Sequence, residues 1–372
     1  MPVSARLRVA IEAVSGGARA TTVTTPRGAI TTPCFMPVGT RGAVRSIAGD
    51  DLDRLGAQVV LGNTYHLMLR PGVAVIERLG GLHRFTGWDG HLLTDSGGYQ
   101  VFSLAPGGRV RCDDDGVTFT STYDGSVHRV TPETAVDAQE RLGADIQMAL
   151  DVCPPLPSPP PVVRTAVERT LAWAVRARDA HRREDQALFG IVQGGNDPVL
   201  RAEAAERTAA LGFTGFGIGG FSVGEDRAER VAALAATTTA LPFDRPRYLM
   251  GVGDPAGLVE AVASGVDLFD CVLPTRLARH ATILTAAGRL NLRNVVHVTD
   301  DSPLDPTCRC GVCARWSRAY LRHLFMVNEP TAPRLATLHN LAFILTLVEQ
   351  IRSSIIDATF PDLRARTLAV WG

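Results

Sequence analysis

The sequence of 372 residues contains no lysine, so arginine supplies all 38 of its lysine-plus-arginine cations. This absence excludes chemistry that needs a lysine amine, such as Schiff-base formation, pyridoxal phosphate attachment and a lysine-bearing phosphate loop. It does not argue against RNA binding, because the planar guanidinium group binds phosphate well. The formal net charge is zero, so overall charge does not indicate a nucleic-acid partner.

Long apolar segments are also missing. The opening residues MPVSARLRVAIEAV lack the apolar core of a signal peptide. No stretch approaches the roughly 20 apolar residues of a membrane-spanning helix. The sequence therefore predicts a cytoplasmic protein that makes no membrane contact.

Cysteine is scarce, but three of the seven cysteines cluster in the segment CRCGVC, at Cys308, Cys310 and Cys313. In a reducing compartment such a cluster is more typical of a metal site than of a disulfide, and a disulfide between Cys308 and Cys310 would close a strained ring. Three thiolates and one imidazole form a closed, tetrahedral structural zinc site. From the residues alone, the fourth ligand has three candidates, His297, His323 and His339.

Apolar, β-branched runs alternate with helical patterns along most of the chain. The predicted strands lie near 33–38, 57–63, 91–95, 144–151, 187–193, 213–219, 246–251 and 266–271. The predicted helices lie near 132–142, 162–183, 198–211, 226–240 and 255–264. Eight strands that alternate with helices predict parallel βαβ units and an α/β fold, a closed (β/α)8 TIM barrel. A doubly wound open sheet is the alternative, but no GxGxxG motif follows an early strand.

Two segments depart from this alternation and predict a domain organisation. Residues 1–287 form the (β/α)8 barrel, including antiparallel hairpins near 109–130 with Asp-Gly turns. Residues 288–336 form a zinc-binding subdomain inserted after strand 8. Residues 337–372 form a C-terminal helix, with its long part at about 339–357, that closes the barrel.

Three aspartates follow predicted strands at their carboxyl ends, Asp95, Asp151 and Asp270. This end of an α/β barrel carries the active site, although a single aspartate there is often a helix cap. Paired carboxylates can cleave a glycosidic bond by double displacement, one attacking the anomeric carbon and the other transferring protons. Tyr99 and Met250 are candidates to stack on a planar ligand, or simply to pack in the core.

Several long motifs resemble those of bacterial tRNA-guanine transglycosylases. They are GNTYHLMLRPG (62–72), DSGGYQ (95–100), IVQGG (191–195), GGFSVGE (219–225), RYLMGVG (247–253), FDCVLPTR (269–276) and CRCGVCARWSRAYLRHL followed by HNLAF. The resemblance runs from about residue 24 to residue 356. It implies a (β/α)8 barrel with a zinc subdomain after the eighth strand, and a homodimer.

The resemblance also implies roles for individual residues. Asp270 matches the nucleophile and Asp95 the general acid/base. The residues that match the base-binding site are Asp95, Tyr99, Asp151, Gln193, Gly220, Phe221 and Met250. Arg276 and Arg279 match anticodon-loop contacts. One structural Zn²⁺ per chain would be held by Cys308, Cys310, Cys313 and His339, which favours His339 among the three histidines.

The implied reaction exchanges the wobble guanine of tRNAs with GUN anticodons for 7-aminomethyl-7-deazaguanine, in queuosine biosynthesis. The acceptors are the tRNAs for Asp, Asn, His and Tyr, and guanine itself is an alternative base substrate. Cys153 and Val223 resemble the base pocket of the bacterial enzymes rather than that of the animal enzymes that take queuine.

The sequence departs from the family pattern in three places. Phe221 stands where leucine is expected, LARHAT (277–282) replaces a polar, glycine-bearing segment, and SLAPGGRVR (103–111) is slightly longer than usual. Two other functions compete with the transferase: a non-catalytic tRNA-binding subunit, which would lack the nucleophile, and a retaining glycosidase, which would not need the zinc cluster. The arginines of the cysteine-rich segment, Arg315, Arg318 and Arg322, are RNA contacts or a solvated helix face.

Overall fold

A computed structural model describes residues 7–99, 110–221 and 227–372. In chain order, its strands are β1 (Arg8–Ser15), β2 (Ala18–Thr25), β3 (Gly28–Thr32), β4 (Cys34–Met36), β5 (Val38–Gly39), β6 (Val59–Gly62), β7 (His91–Thr94), β8 (Val110–Cys112), β9 (Val117–Thr120), β10 (Val127–Val130), β11 (Ile146–Met148), β12 (Ala187–Val192), β13 (Gly215–Ile218), β14 (Arg247–Leu249), β15 (Leu268–Asp270), β16 (Thr282–Thr285) and β17 (Gly288–Asn291).

Helices follow most of these strands along the chain. In chain order they are α1 (Gly49–Arg54), α2 (Thr64–Leu69), α3 (Val73–Arg78), α4 (Gly81–Thr86), α5 (Pro132–Leu142), α6 (Pro160–Ala180), α7 (Pro198–Ala209), α8 (Arg227–Ala240), α9 (Pro255–Ala263), α10 (Leu273–Arg279), α11 (Arg318–Met326), α12 (Thr331–Ile356) and α13 (Phe360–Trp371), with a short 3₁₀ helix at Val295–His297.

The central sheet is a closed parallel barrel. Its strand order is β4-β15-β14-β13-β12-β11-β7-β6-β5, and β4 and β5 are two parts of one strand separated at Pro37. Phe269 of β15 lies opposite Phe35 of β4, and Leu61 of β6 lies opposite Val38 of β5, so the sheet has no free edge. This confirms the predicted (β/α)8 barrel and all eight predicted strands.

Alternate residues of the barrel strands enter two separate cores, as the period of two along a strand requires. In β12, Phe189 and Ile191 belong to the inner core, whereas Leu188 and Val192 belong to the core shared with the outer helices. Because both faces are buried, most residues of the strands are apolar. The strands could therefore be found in the sequence as apolar runs, although their residues do not alternate between apolar and polar.

The amino-terminal end of the barrel is covered by an antiparallel sheet of β1, β2 and β3. Val23 and Ile30 of this sheet belong to the inner core of the barrel. Polar contacts at its margin include the hydrogen bond between Thr25 Oγ1 and His91 Nε2, 2.9 Å long. These three strands were not predicted from the sequence, although the Gly16-Gly17 pair and the segment Pro26–Gly28 mark their two turns.

A second antiparallel sheet, of β8, β9 and β10, confirms the predicted hairpins. Part of the segment before it, residues 103–109 of SLAPGGRVR, lies outside the described residues. Beyond the barrel, β16 and β17 form a hairpin, and their apolar residues pack with α11 in a separate small core.

The C-terminal helix differs from its predicted bounds. It begins at Thr331 rather than near 339, because Pro333 lies in the first turn, where proline is tolerated. Ala336 of this helix belongs to the small core, whereas Leu341 and Ile344 belong to the outer core of the barrel. The left-handed φ of 57° at Ala358 separates α12 from a further helix, α13. Among the described residues, no helix is long and apolar enough to cross a membrane.

Candidate active site and metal centre

Asp95 follows β7 and lies almost fully buried, 8 % exposed. Its Oδ1 accepts hydrogen bonds from the backbone N–H groups of Thr64 (2.9 Å) and Gly97 (3.2 Å), and its Oδ2 accepts one from Asn63 Nδ2 at 2.5 Å. Asn63 is also the N-cap of α2, since its Oδ1 accepts from His66 N. One asparagine thus positions both the helix and the carboxylate.

Asp270 ends β15 and is held by β14 and the turn that follows it. Its Oδ1 accepts hydrogen bonds from Tyr248 Oη at 2.6 Å and from Gly251 N at 2.8 Å. No donor among the described residues reaches Oδ2. One oxygen is therefore fixed in place while the other is available to react.

The two carboxylates and Asp151 share an electrostatic property. Burial, with smaller contributions from the charges of Asp270 and Asp151, raises the pKa of Asp95 to about 7. Burial likewise raises the pKa of Asp151 to about 6 and raises that of Asp270. A group with a pKa near 7 can both donate and accept a proton at neutral pH.

Asp151 and Gln193 form one polar unit at the ends of β11 and β12. Gln193 Nε2 donates to Asp151 Oδ2 at 2.7 Å, and Ser96 Oγ donates to Oδ1 at 3.3 Å. The amide of Gln193 lies against the Gly219–Gly220 backbone, where a methyl group on either glycine would come within 2.5 Å of the amide. Glycine is therefore required by the close approach at both positions, and at Gly220 also by its φ of 77°.

This polar unit has unused hydrogen-bonding capacity. Gln193 Oε1 is buried and accepts no hydrogen bond from the described residues. Burial, followed by the charge of Asp151, raises the pKa of Cys153 to about 12, so this residue is a neutral thiol. The arrangement suits a planar ligand with an edge that carries several N–H donors.

The structure places the other predicted base-site residues differently from one another. Tyr99 is 49 % exposed, whereas Met250 is partly buried and packs on the inner core. The Phe221 ring is buried and covers the guanidinium of Arg201. The central carbon of this guanidinium lies 4.1 Å from the centroid of the ring. Val223 and the remainder of GGFSVGE after Phe221 lie outside the described residues.

Arg201 supports the site in a way that sequence reasoning missed. This fully buried side chain of α7 donates from Nε to Gly195 O at 2.8 Å and from Nη1 to Val192 O at 3.2 Å. It therefore ties α7 to both sides of Gln193. Tyr248, Asn63 and Ser96 were missed in the same way, although each lies in or next to one of the quoted motifs.

The predicted RNA-binding arginines lie on α10, the helix that follows Asp270. Arg276 is exposed, and Arg279 is partly buried with its Nη1 donating to Thr275 O at 3.0 Å. Burial and the charges of Arg45 and Arg276 lower the pKa of Arg279, because several arginines lie close together on and beside the helix that follows Asp270. Within LARHAT, Ala278 and Ala281 are buried in the small core, whereas His280 is exposed.

The four predicted metal ligands converge. The ligand atoms of Cys308, Cys310, Cys313 and His339 all lie within 4.8 Å of one another, and His339 Nδ1 lies 3.2 Å from Cys313 Sγ. His339 Nε2 lies 2.8 Å from the carbonyl oxygen of Leu284, so Nε2 carries the proton and Nδ1 faces the thiols, as a metal ligand requires. This cluster could hold a metal ion.

The two competing histidines do not belong to the cluster. His297 Nδ1 contacts Asp300 at 2.8 Å, and His323 is exposed. Asn340, next to His339, bonds Leu284 N, Pro274 O and Thr282 O. The His-Asn pair therefore joins the metal cluster to the helix that follows Asp270.

Comparison with known proteins agrees with this geometry. The family model described as queuine tRNA-ribosyltransferase matches residues 14–372. A queuine tRNA-ribosyltransferase of Herpetosiphon aurantiacus is 51% identical over 347 residues, which cover 93% of this chain and 88% of the relative. Its namesake from Solidesulfovibrio magneticus is 50% identical over 358 residues (96% and 95%). That of Gluconacetobacter diazotrophicus is 48% identical over 370 residues (99% and 95%).

Proposed function

Because the chain belongs to the queuine tRNA-ribosyltransferase family, we propose that it is a tRNA-guanine transglycosylase of queuosine biosynthesis. It exchanges the wobble guanine of tRNAs with GUN anticodons for 7-aminomethyl-7-deazaguanine. The observation that carries this proposal is the pair of buried carboxylates, Asp270 with one free oxygen and Asp95 with a pKa of about 7. A non-catalytic subunit would lack a reason to keep this pair, and a retaining glycosidase would lack a reason to keep the cysteine-histidine cluster.

The reaction proceeds in two displacements. Asp270 Oδ2 attacks the anomeric carbon of the ribose while the bond to guanine breaks, and Asp95 gives a proton to the leaving base. Asp95 then accepts a proton from the incoming base, whose nitrogen attacks the same carbon and releases Asp270. Tyr248 and Gly251 hold the nucleophile, so the carboxylate does not need to reorient.

Asp151 and Gln193 read the base. The carboxylate accepts from the N–H donors of the guanine edge, and the amide of Gln193 and the Gly220 N–H read its carbonyl side. Tyr99 and Met250 stack on the two faces of the base, Phe221 contributes a backbone contact, and Cys153 lines the pocket. The exposure of Tyr99 in the free protein leaves its ring available for such a ligand.

Zinc fits the Cys308-Cys310-Cys313-His339 set, because three thiolates and a properly oriented imidazole complete a tetrahedron. Four protein ligands leave no position for a catalytic water, so we assign the ion a structural role, one per chain. It stabilises the region of residues 288–336 as a subdomain on the barrel of residues 1–287, with 337–372 packed between them. A homodimer located in the cytoplasm, which binds tRNA through Arg276 and Arg279, completes the proposal.

Incubation with unmodified tRNA and labelled guanine tests the activity. Label should enter the tRNA, and denaturing electrophoresis should reveal a covalent protein–RNA adduct. Asp270→Ala should abolish both, whereas Asp244→Ala, at an exposed aspartate away from the site, should leave both unchanged. Robust exchange by the Asp270 variant would remove this residue from the role of nucleophile.

Metal content tests the zinc site independently of activity. The purified protein should contain one zinc per chain, and His339→Ala should lower this content. His297→Ala serves as the matched control and should retain the metal. Loss of zinc from the His297 variant with retention by the His339 variant would contradict the assigned ligand set.

A further inference from the structure

A second group of arginines lies at the mouth of the barrel. The guanidinium carbons of Arg41 and Arg70 lie 5.4 Å and 4.8 Å from the centroid of the Tyr123 ring. Arg41 follows β5, Arg70 follows α2, and Tyr123 lies in the turn between β9 and β10. Three separate loops therefore contribute to this group, called here the Tyr123 cluster.

The positive charge of the Tyr123 cluster is not paired with a carboxylate of the described residues. Neither Arg41 nor Arg70 forms an ion pair within the described residues, and both are exposed. Arginines on the outer helices behave differently: Arg176 pairs with Glu133 at 2.7 Å. Burial and the charge of Arg41 also lower the pKa of His66, so this neighbouring imidazole is neutral at neutral pH. Two guanidinium groups that lie against one aromatic ring and pair with no carboxylate are suited to an anionic ligand.

The Tyr123 cluster is joined to the catalytic carboxylate Asp95. Helix α2 begins at Thr64, whose N–H bonds Asp95, and His66 of the same helix contacts the Tyr123 hydroxyl at 3.0 Å. Arg70 follows this helix, so it lies about 10 Å along it from the Asp95 contact. The cluster is thus one short helix away from the reacting centre.

The cluster also neighbours the predicted RNA contacts on the other side. Strand β15, which precedes Arg276 and Arg279, pairs with β4, and β5 pairs with β6. The loops that carry the two arginine groups are therefore adjacent around the barrel mouth. A chain of phosphates that touches both groups would pass the ends of the strands that present Asp270 and Asp95.

We propose that Arg41, Arg70 and Tyr123 form a second phosphate-binding site, which holds a phosphodiester of the single-stranded anticodon loop beside the nucleotide that is exchanged. This inference rests on the proposed function and adds residues to its substrate site. The two guanidinium groups bind the phosphate oxygens. The Tyr123 ring holds both groups in place before the RNA arrives, which reduces the side-chain entropy lost on binding.

Binding of an unmodified GUN anticodon stem-loop, measured from low to high salt, tests the proposal. Each lost phosphate contact on a single strand should reduce the logarithmic salt slope by about 0.7, which corresponds to a roughly fourfold weaker Kd at 0.15 M salt. The double variant Arg41→Ala/Arg70→Ala, which leaves the phosphate without a cation, should show this change, and each single variant should show part of it. Arg78→Ala, at an exposed arginine of α3, is the control and should show neither.

Substitutions of Tyr123 separate stacking from hydrogen bonding. Tyr123→Phe keeps the ring and should bind the stem-loop like the wild type. Tyr123→Leu removes the ring and should weaken binding about as much as the loss of one arginine. In exchange assays, all three weakened variants should raise the KM for tRNA while kcat stays unchanged, because the cluster does not contact the reacting atoms.

The outcomes distinguish this inference from the proposed function. Unchanged salt slopes in both arginine variants, with an active wild type, would overturn the phosphate site alone. A wild type that shows the arginine-dependent slope but incorporates no labelled guanine would support the site and contradict the transferase. A decrease of the slope in Arg78→Ala as large as in the other variants would also overturn the assignment, because the effect would then be one of overall charge.

Discussion

Asp267 precedes the short strand β15 and Asp270 is the last residue of that strand, yet their surroundings are opposite. Asp267, at the amino-terminal end, is fully buried and accepts from Arg19 Nε at 2.9 Å and Arg19 Nη2 at 2.5 Å. Asp270, at the carboxyl end, accepts only from a tyrosine hydroxyl and a backbone N–H among the described residues. An aspartate is thus paired with an arginine at one end of the strand, whereas the aspartate at the other end has no cationic partner among the described residues.

The contrast extends to the other strands. At the amino-terminal end, Asp145 contacts Arg27 at 2.8 Å and His83 at 3.1 Å, and although burial opposes it, these partners lower the pKa of Asp145. At the carboxyl end, Asp95 and Asp151 have raised pKa values and no cationic partner in the described part of the chain. Buried carboxylates that are paired hold the fold together, whereas unpaired ones remain reactive at a cost in stability.

Breaking the pair at the amino-terminal end should have the largest effect. Asp267→Ala leaves the Arg19 guanidinium buried without its carboxylate, which should lower the free energy of unfolding by about 3–5 kcal/mol. Asp270→Asn, the comparison variant, should stay within about 1 kcal/mol of the wild type while it loses all exchange activity. Urea denaturation measures both. Equal destabilisation by the two variants would show that the two ends do not differ in this respect.

The pH dependence of stability should reveal the unpaired carboxylates. Because the pKa of Asp95 is raised to about 7 in the fold, from about 3.9 in an unfolded chain, its contribution is stabilising at low pH. That contribution is lost as the pH rises from about 4 through about 7. Asp95→Asn removes this loss. Over that pH range, the free energy of unfolding of the variant should therefore rise by about 2–4 kcal/mol relative to that of the wild type.

Denaturation series at several pH values measure this gain. The matched variant is Asp145→Asn, at the opposite end of the barrel. The partners of Asp145 lower its pKa, so its contribution to stability is lost only below about pH 4. At higher pH, the free energy of unfolding of Asp145→Asn should therefore change with pH in the same way as that of the wild type. A parallel course for Asp95→Asn as well would contradict the raised pKa.

The smallest expected effect concerns the position of Asp270, the proposed nucleophile. The Tyr248 hydrogen bond lowers the pKa of Asp270 against the effect of burial, so Tyr248→Phe should shift the acidic limb of the kcat profile to higher pH. At neutral pH, kcat should fall roughly 10- to 100-fold, as expected for a hydrogen bond to a charged group. Tyr65→Phe, at another buried tyrosine, is the control. An unshifted limb would make Tyr248 a packing residue only.

The predictions from sequence succeeded where a local pattern carries the information. The barrel strands are apolar runs bounded by turns, and the hairpin sheet is marked by Asp115-Gly116 and Asp124-Gly125. They failed for β1, β2 and β3, because β1 is largely exposed and β2 and β3 are rich in threonine. The C-terminal helix was predicted too short, since proline in a first turn is indistinguishable from a helix breaker when the fold is unknown.

Motifs and strand ends in the sequence were sufficient to determine the barrel, the three aspartates at one mouth and the cysteine cluster. Only the tertiary structure decided which charges are paired. Arg19 lies far along the chain from Asp267, and Tyr123 from Arg41, so no local spacing reports their contact. It also confirmed that His339, which the family resemblance favoured, faces the thiols. The physical reason is that burial and pairing depend on residues brought together by folding, whereas periodicity and turn chemistry act between neighbours in the chain.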